Sequence, residues 1–236
     1  MFTIEYRQEV RESIISKARG NPKIVSAAVI GSYASGEVDR WSDIDLTFGV
    51  DESFSINSML EWWTEYIIKE FAGIMLFDVK QENTTYRVFI LPGCLQVDLS
   101  FSPASQFGAV GSHFKLLYGK KYEKPQTSPL STPQTTKDQF GYMVHHILRA
   151  RFCMERNGLA KAEFWISEAR NYALKLASKS QSIRDSLKDS YVKELSKEEI
   201  MKAIRVIVSQ IPNISEEVKG YSLKLSDALN ELSSEI

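Results

Sequence analysis

Cysteine is scarce: among 236 residues only Cys94 and Cys153 occur. They stand far apart in apolar settings, which excludes a disulfide framework and reads as two buried, reduced thiols, so the expected location is the cytoplasm. Long apolar runs are missing as well. None approaches the ~20 residues a spanning helix needs, and the opening MFTIEYRQEVRESI carries charges where a secretory signal has an apolar stretch. No membrane role is expected. Nor is there an excess of either charge: 29 Lys and Arg face 30 Asp and Glu, for a net charge of −1. No global positive field draws the chain to nucleic acid, so any polyanion has to be bound locally.

What is present is enough for a core. Hydrophobic residues make up 43% of the chain, sufficient for one large domain or two smaller ones. Residues 4–19 set Ile4, Ile14, Ile15 and Ala18 among charges, a helix that should stop at Gly20. Residues 24–30 are small, β-branched and followed by glycine, as a buried strand entering a tight turn would be. Residues 42–50 read as the next strand. Met59, Leu60, Trp63, Ile67 and Phe71 recur at helical spacing over 56–71, and residues 74–79, 86–91 and 95–101 read as strands, the last two joined at Pro92-Gly93. The segment EKPQTSPLSTPQTT, residues 123–136, is too polar and too broken for a core element and marks a domain boundary. Beyond it only helical stripes follow: Phe140, Met143, Val144, Ile147 and Leu148; then Trp165, Ala169, Tyr172, Ala173 and Leu176; then a capping box at Ser196 and Glu199 before Ile200, Ile204, Ile207 and Val208; and a final helix through Val218, Tyr221, Leu225, Leu229 and Leu232. The expected organisation is an α+β domain over residues 1–125 and a helical bundle over 134–236.

Chemistry concentrates in one pattern: Gly31-Ser32, ten intervening residues, Asp43-Ile44-Asp45-Leu46, and much later Val97-Asp98-Leu99. Alternation along a strand sends Asp43 and Asp45 to one side while Ile44 and Leu46 enter the core. Adjacent carboxylates repel unless a cation lies between them, and a few carboxylates together suit magnesium bound jointly with substrate phosphates. Asp98, set among Leu95, Val97, Leu99 and Phe101, supplies a third ligand whose burial would otherwise be costly. Two Mg2+ ions held this way would neutralise the phosphates of ATP or another nucleoside triphosphate and stabilise the departing pyrophosphate. Gly31 lets backbone N–H groups approach a phosphate with no Cβ in the way, and Ser32 can cap the following helix or touch the phosphates.

This pattern resembles that of the nucleotidyltransferase superfamily, which includes polymerase β, the aminoglycoside and lincosamide nucleotidyltransferases and the minimal nucleotidyltransferases. Gly31, Ser32, Asp43, Asp45 and Asp98 each fall on a functional position of that family. The resemblance implies a mixed twisted sheet flanked by helices, with a C-terminal helical bundle. It also implies transfer of a nucleoside monophosphate, AMP from ATP by default of abundance, to a hydroxyl of a small molecule such as an aminoglycoside or lincosamide antibiotic, hence a role in antibiotic resistance. Residues 162–170, AEFWISEAR, are similar to the second-domain helix of the drug-modifying members. One departure stands out. Many relatives carry an arginine shortly after Gly-Ser, where this chain has Tyr33-Ala34-Ser35-Gly36, so either Arg40, Lys115 or Lys120 substitutes or the nucleotide binds more weakly.

Plainer alternatives stand beside these readings. Asp43 and Asp45 fit any strand with a solvated face. Glu163, which shares a helix face with Ile166 and Arg170, is either the base that deprotonates the acceptor, with Asp98 its rival, or part of a salt-bridged surface stripe. His145 and His146 lie about 100° apart on a helix and cannot jointly hold one metal, so they read as packing or surface residues. Trp62, Trp63 and Trp165 read as core or interface, and residues 108–111 as a turn. Two other functions stay open: adenylylation of a protein or RNA partner, and a silent nucleotide-binding regulator. Whether two copies form a homodimer also stays open.

Overall fold

The structure, a computed structural model, describes residues 1–109, 113–122, 132–133 and 135–234. The chain resolves into two compact units, Met1–Thr132 and Pro133–Ile236. Most of the Pro-rich segment at 123–136 lies outside the described residues, as do residues 110 and 111 of the expected turn.

The first unit runs α1 (Ile4–Arg19), β1 (Ile24–Ile30), α2 (Gly31–Ser35), β2 (Ile44–Val50), α3 (Ile56–Phe71), β3 (Ile74–Gln81), β4 (Thr84–Leu91), β5 (Leu95–Pro103) and β6 (Phe114–Tyr118). The strands form one sheet in the order β3-β4-β5-β2-β1-β6. Only β2 and β5 pair in parallel; the other neighbours are antiparallel. The sheet is therefore mixed, and the architecture is α+β.

The parallel register decides both core and site. It sets Ile44 against Val97, Leu46 against Leu99 and Phe48 against Phe101 on one face, and Asp45 against Asp98 and Thr47 against Ser100 on the other, because successive strand residues point to opposite sides. α3 covers the apolar face. Trp63, fully buried, stacks on Phe48 at 5.4 Å and reaches Phe101 at 6.1 Å, while Phe48 and Phe101 stack at 5.4 Å. Such aromatic contacts add about 0.5–1.5 kcal/mol per pair to the area they bury.

α1 differs from expectation in its buried face, which is Arg7, Val10, Ile14 and Ala18, whereas Ile4 is exposed. Those four positions keep the spacing of a helical stripe, with a charged residue at its head. The strand expected over 42–50 begins at Ile44, so Asp43 sits just ahead of β2. The edge strand β6, whose sequence FKLLY has no clean alternation, was not expected, and the helix expected after Gly31-Ser32 is the single turn α2, which begins at Gly31 itself.

The second unit is helical among its described residues: α4 (Thr136–Glu155), α5 (Leu159–Leu176), α6 (Gln181–Ser186), α7 (Lys197–Gln210), α8 (Lys219–Lys224) and α9 (Ser226–Ser233), with short 3-10 turns between them. A reciprocal capping box starts α4 at Thr135 and Asp138. At α7 only half of the expected box forms. Ser196 accepts from the Glu199 N–H, but the Glu199 carboxylate accepts from the Lys193 N–H instead. The expected final helix is broken into α8 and α9, because the Leu225 N–H turns back to Ser222 O in a tight closure.

Candidate active site

Asp43, Asp45 and Asp98 converge. One carboxylate oxygen from each lies within 4.8 Å of the others, and all three residues are half-buried. Three oxygens at that separation fit a hard divalent cation, which takes oxygen ligands and accepts protein carboxylates alongside substrate phosphates. Asp45 and Asp98 owe their proximity to the β2–β5 register; Asp43 owes its position to the loop that precedes β2.

Gly31 closes the site from the side. Its φ is +63°, a backbone region that side chains rarely tolerate, and a Cβ there would lie 2.4 Å from Asp45 Oδ2. Ser32 does not cap α2: Ile30 occupies the N-cap position, with no side-chain hydrogen bond. The Ser32 Oγ is instead buried with no hydrogen-bond partner among the described residues, an acceptor and donor left for something else to meet.

Two residues around the triad were missed from sequence. Gln96, 1% exposed, donates from Nε2 to both Asp98 carboxylate oxygens at 2.9 Å. The available signal was its place two residues before Asp98, on the same face of the strand. Arg7 donates to the loop before Asp43, and its signal was an arginine in register with the apolar stripe of α1.

The basic residues offered in place of the missing arginine divide by position. Arg40 is committed elsewhere: it donates to the Phe2 carbonyl oxygen and lies over the Phe2 and Trp41 rings. The backbone of Lys120, rather than its ammonium, pairs with Ser26 Oγ near the start of β1, away from Gly31. Lys115 pairs with Val29 and so emerges on the face of Leu46, opposite to that of Asp45.

Glu163 belongs to the second unit. Its Oε1 accepts from Ser167 Oγ at 2.7 Å, and Arg170 Nη1 donates to the same hydroxyl at 3.3 Å. Arg170 is no surface residue: it is 4% exposed and donates to Ser190 Oγ and Ser190 O. A chain of hydrogen bonds from a fixed guanidinium thus orients the Glu163 carboxylate. His145 and His146 pack with Tyr142, Trp165 and Tyr172. Burial, reinforced by Arg149, pushes the His146 pKa down to about 4, and burial followed by His146 and Arg149 holds His145 well below its ordinary value.

No helix among the described residues is long and apolar enough to cross a membrane. No curated protein sequence matches the chain. Among solved structures it aligns with an aminoglycoside 6-adenyltransferase from Bacillus subtilis, at 11% identity over 97% of this chain and 99% of that one, with a TM-score of 0.34. It also aligns with the CdnE cyclic dinucleotide synthase of Elizabethkingia meningoseptica, at 12% identity over 95% and 89%, with a TM-score of 0.33. Both likenesses are too distant to carry function. The family model described as "Polymerase beta, Nucleotidyltransferase" matches residues 12–91, a stretch that holds Gly31, Ser32, Asp43 and Asp45 and stops short of Asp98. Over that third of the chain the first unit is similar to the polymerase beta nucleotidyltransferase family, and the three converging carboxylates fit a metal site there.

Proposed function

We propose that the chain transfers AMP from ATP to a hydroxyl of a small-molecule acceptor, with Asp43, Asp45 and Asp98 holding two Mg2+ ions. The observation that carries this reading is the three carboxylates within 4.8 Å of one another beside a glycine that no side chain could replace. Bound there, magnesium supplies neutralisation of the triphosphate and of the leaving pyrophosphate. The chain's own groups do the rest. Gly31 leaves room for a phosphate against the backbone, and the unmatched Ser32 Oγ supports a hydrogen bond to it. The acceptor oxygen attacks the α-phosphorus, the bond to the bridging oxygen breaks, and pyrophosphate leaves in line. The acceptor's proton goes to a carboxylate base, Asp98 within the triad or, as the sequence also offers, Glu163. An aminoglycoside or lincosamide as acceptor, and with it a role in antibiotic resistance, rests on the sequence resemblance alone. A cytoplasmic location is supported by two buried free cysteines, Cys94 and Cys153.

Incubation with Mg2+, ATP labelled at the α-phosphate and a panel of hydroxylated small molecules tests the reading. Label on a small molecule with release of unlabelled pyrophosphate is the expected outcome. Label on an added protein or RNA would transfer the reading to macromolecular adenylylation, and no transfer with any acceptor would leave a nucleotide-binding regulator.

A further inference from the structure

The side-chain hydrogen bonds of Arg7 all go to the loop that leads into Asp43. Its Nη1 donates to the carbonyl oxygens of Asp39 at 2.6 Å, Arg40 at 3.4 Å and Ser42 at 3.0 Å. The side chain is 2% exposed, and burying a guanidinium is costly unless its donors are met. The loop is also closed by its own groups: the Asp39 carboxylate accepts from the Trp41 N–H at 2.9 Å and from Ser42 Oγ at 3.0 Å. The same guanidinium lies 5.6 Å from the ring centroid of Tyr33, which follows Gly31-Ser32 directly. Arg11, one turn further along α1, lies over that ring at 4.2 Å, and its Nε has no hydrogen-bond partner among the described residues. One buried cation thus lies against residues next to both halves of the pattern, Tyr33 after Gly31-Ser32 and Ser42 before Asp43, from a position outside the matched residues 12–91.

We infer that Arg7 is a positioning residue for the cation site: by fixing the carbonyls of residues 39, 40 and 42 it sets where the Asp43 carboxylate stands. The inference rests on the metal-binding reading of the triad. Groups that orient metal ligands without touching the metal are worth about 10–100-fold in affinity when removed. Lysine is a poor replacement for this arginine, because its compact ammonium lacks the planar guanidinium that lies by the Phe2 and Tyr33 rings while Nη1 reaches the loop.

Mn2+ titration followed by electron paramagnetic resonance, run with thermal unfolding of each protein, tests the inference. Arg7→Lys is expected to weaken Mn2+ binding by about 10–100-fold, while Arg11→Met binds as the wild type does. Should Arg7→Lys fail to fold, Asp39→Ala opens the same loop from its exposed side and is expected to weaken Mn2+ binding in the same direction. Wild-type affinity in a folded Arg7→Lys, or in Asp39→Ala where Arg7→Lys does not fold, overturns the inference; so does an equal loss in Arg11→Met, which would route the effect through Tyr33. Asp45→Asn separates the two levels: if the wild type shows no Mn2+ binding that this change abolishes, the metal-site reading and the inference fall together.

Discussion

Gly31 and Asp45 are in contact across the end of the β1–β2 pair, with room for a hydrogen and no more: a Cβ on Gly31 would stand 2.4 Å from Asp45 Oδ2 and 3.2 Å from its Cγ. Gly31→Ala therefore has two costs. The φ of +63° strains any side chain by about 1 kcal/mol or more, and the methyl group displaces the carboxylate. The variant should lose about 100-fold or more in turnover, since an ångström of misplacement is enough for that, while unfolding only a few degrees earlier. Normal turnover in the alanine variant would separate Asp45 from the chemistry.

Asp45 and Asp98 face each other as like charges, so neutralising one should help the fold while it removes the function. Asp45→Asn is expected to raise the melting temperature in chelator, because a carboxylate pair repels, whereas Asp98→Asn should gain less, since its new amide donor meets the Gln96 Nε2 donor. In the wild type, Mg2+ should raise the melting temperature by binding the folded state, which it stabilises by about 2.7 kcal/mol at a hundred times its Kd. Neither asparagine variant should respond in this way. Equal Mg2+ responses in all three proteins would count against a cation at the triad.

Gln96 fixes Asp98 by donating to both of its oxygens. Gln96→Glu exchanges that donor for a fourth carboxylate beside the three aspartates, and Gln96→Leu removes it without adding charge. Activity should fall by about 10–100-fold in the leucine variant, as for other groups that orient a metal ligand, and further in the glutamate variant. The ordering of the two is the informative result; a glutamate variant as active as the wild type would show that the amide does not set the Asp98 carboxylate.

The histidine pair gives the second unit a pH dependence of known sign. Both His145 and His146 have folded pKa values below the ordinary 6.5, His146 at about 4, so the unfolded chain binds more protons than the folded one at mildly acidic pH. Stability is then fully present above about pH 6.5 and is lost as pH falls towards 4, at up to about 1.4 kcal/mol per pH unit for each histidine. Chemical denaturation at pH 7.5, 6 and 5 measures the slope. His146→Phe, which keeps a ring against Tyr142, Trp165 and Tyr172, should flatten it by roughly half; an unchanged slope would place the acid sensitivity elsewhere.

Part of this molecule is readable from local order alone. The strand at 24–30 and the helix at 56–71 appear at the expected bounds because their side chains repeat with the period of the element they form. Gly31, Asp43 and Asp45 were recognisable because their spacing is set within a single turn and strand. Weak or mixed periodicity hid other parts. β6 has five residues with apolar neighbours in sequence, and residues 218–232 keep a helical stripe across a break that a local closure at Ser222 imposes.

The sequence by itself determined which residues could bind a cation and a phosphate, since the side-chain chemistry and the strand period are local properties. Only the tertiary structure decided that Asp98 would stand opposite Asp45, that Gln96 would hold it, and that Arg7 would reach the loop before Asp43. Those relations depend on the parallel register of β2 with β5 and on how α1 packs, and register between distant segments is chosen by burial of a whole face: the pairing that seals Phe48 against Phe101 beneath Trp63 is the one that brings the carboxylates together.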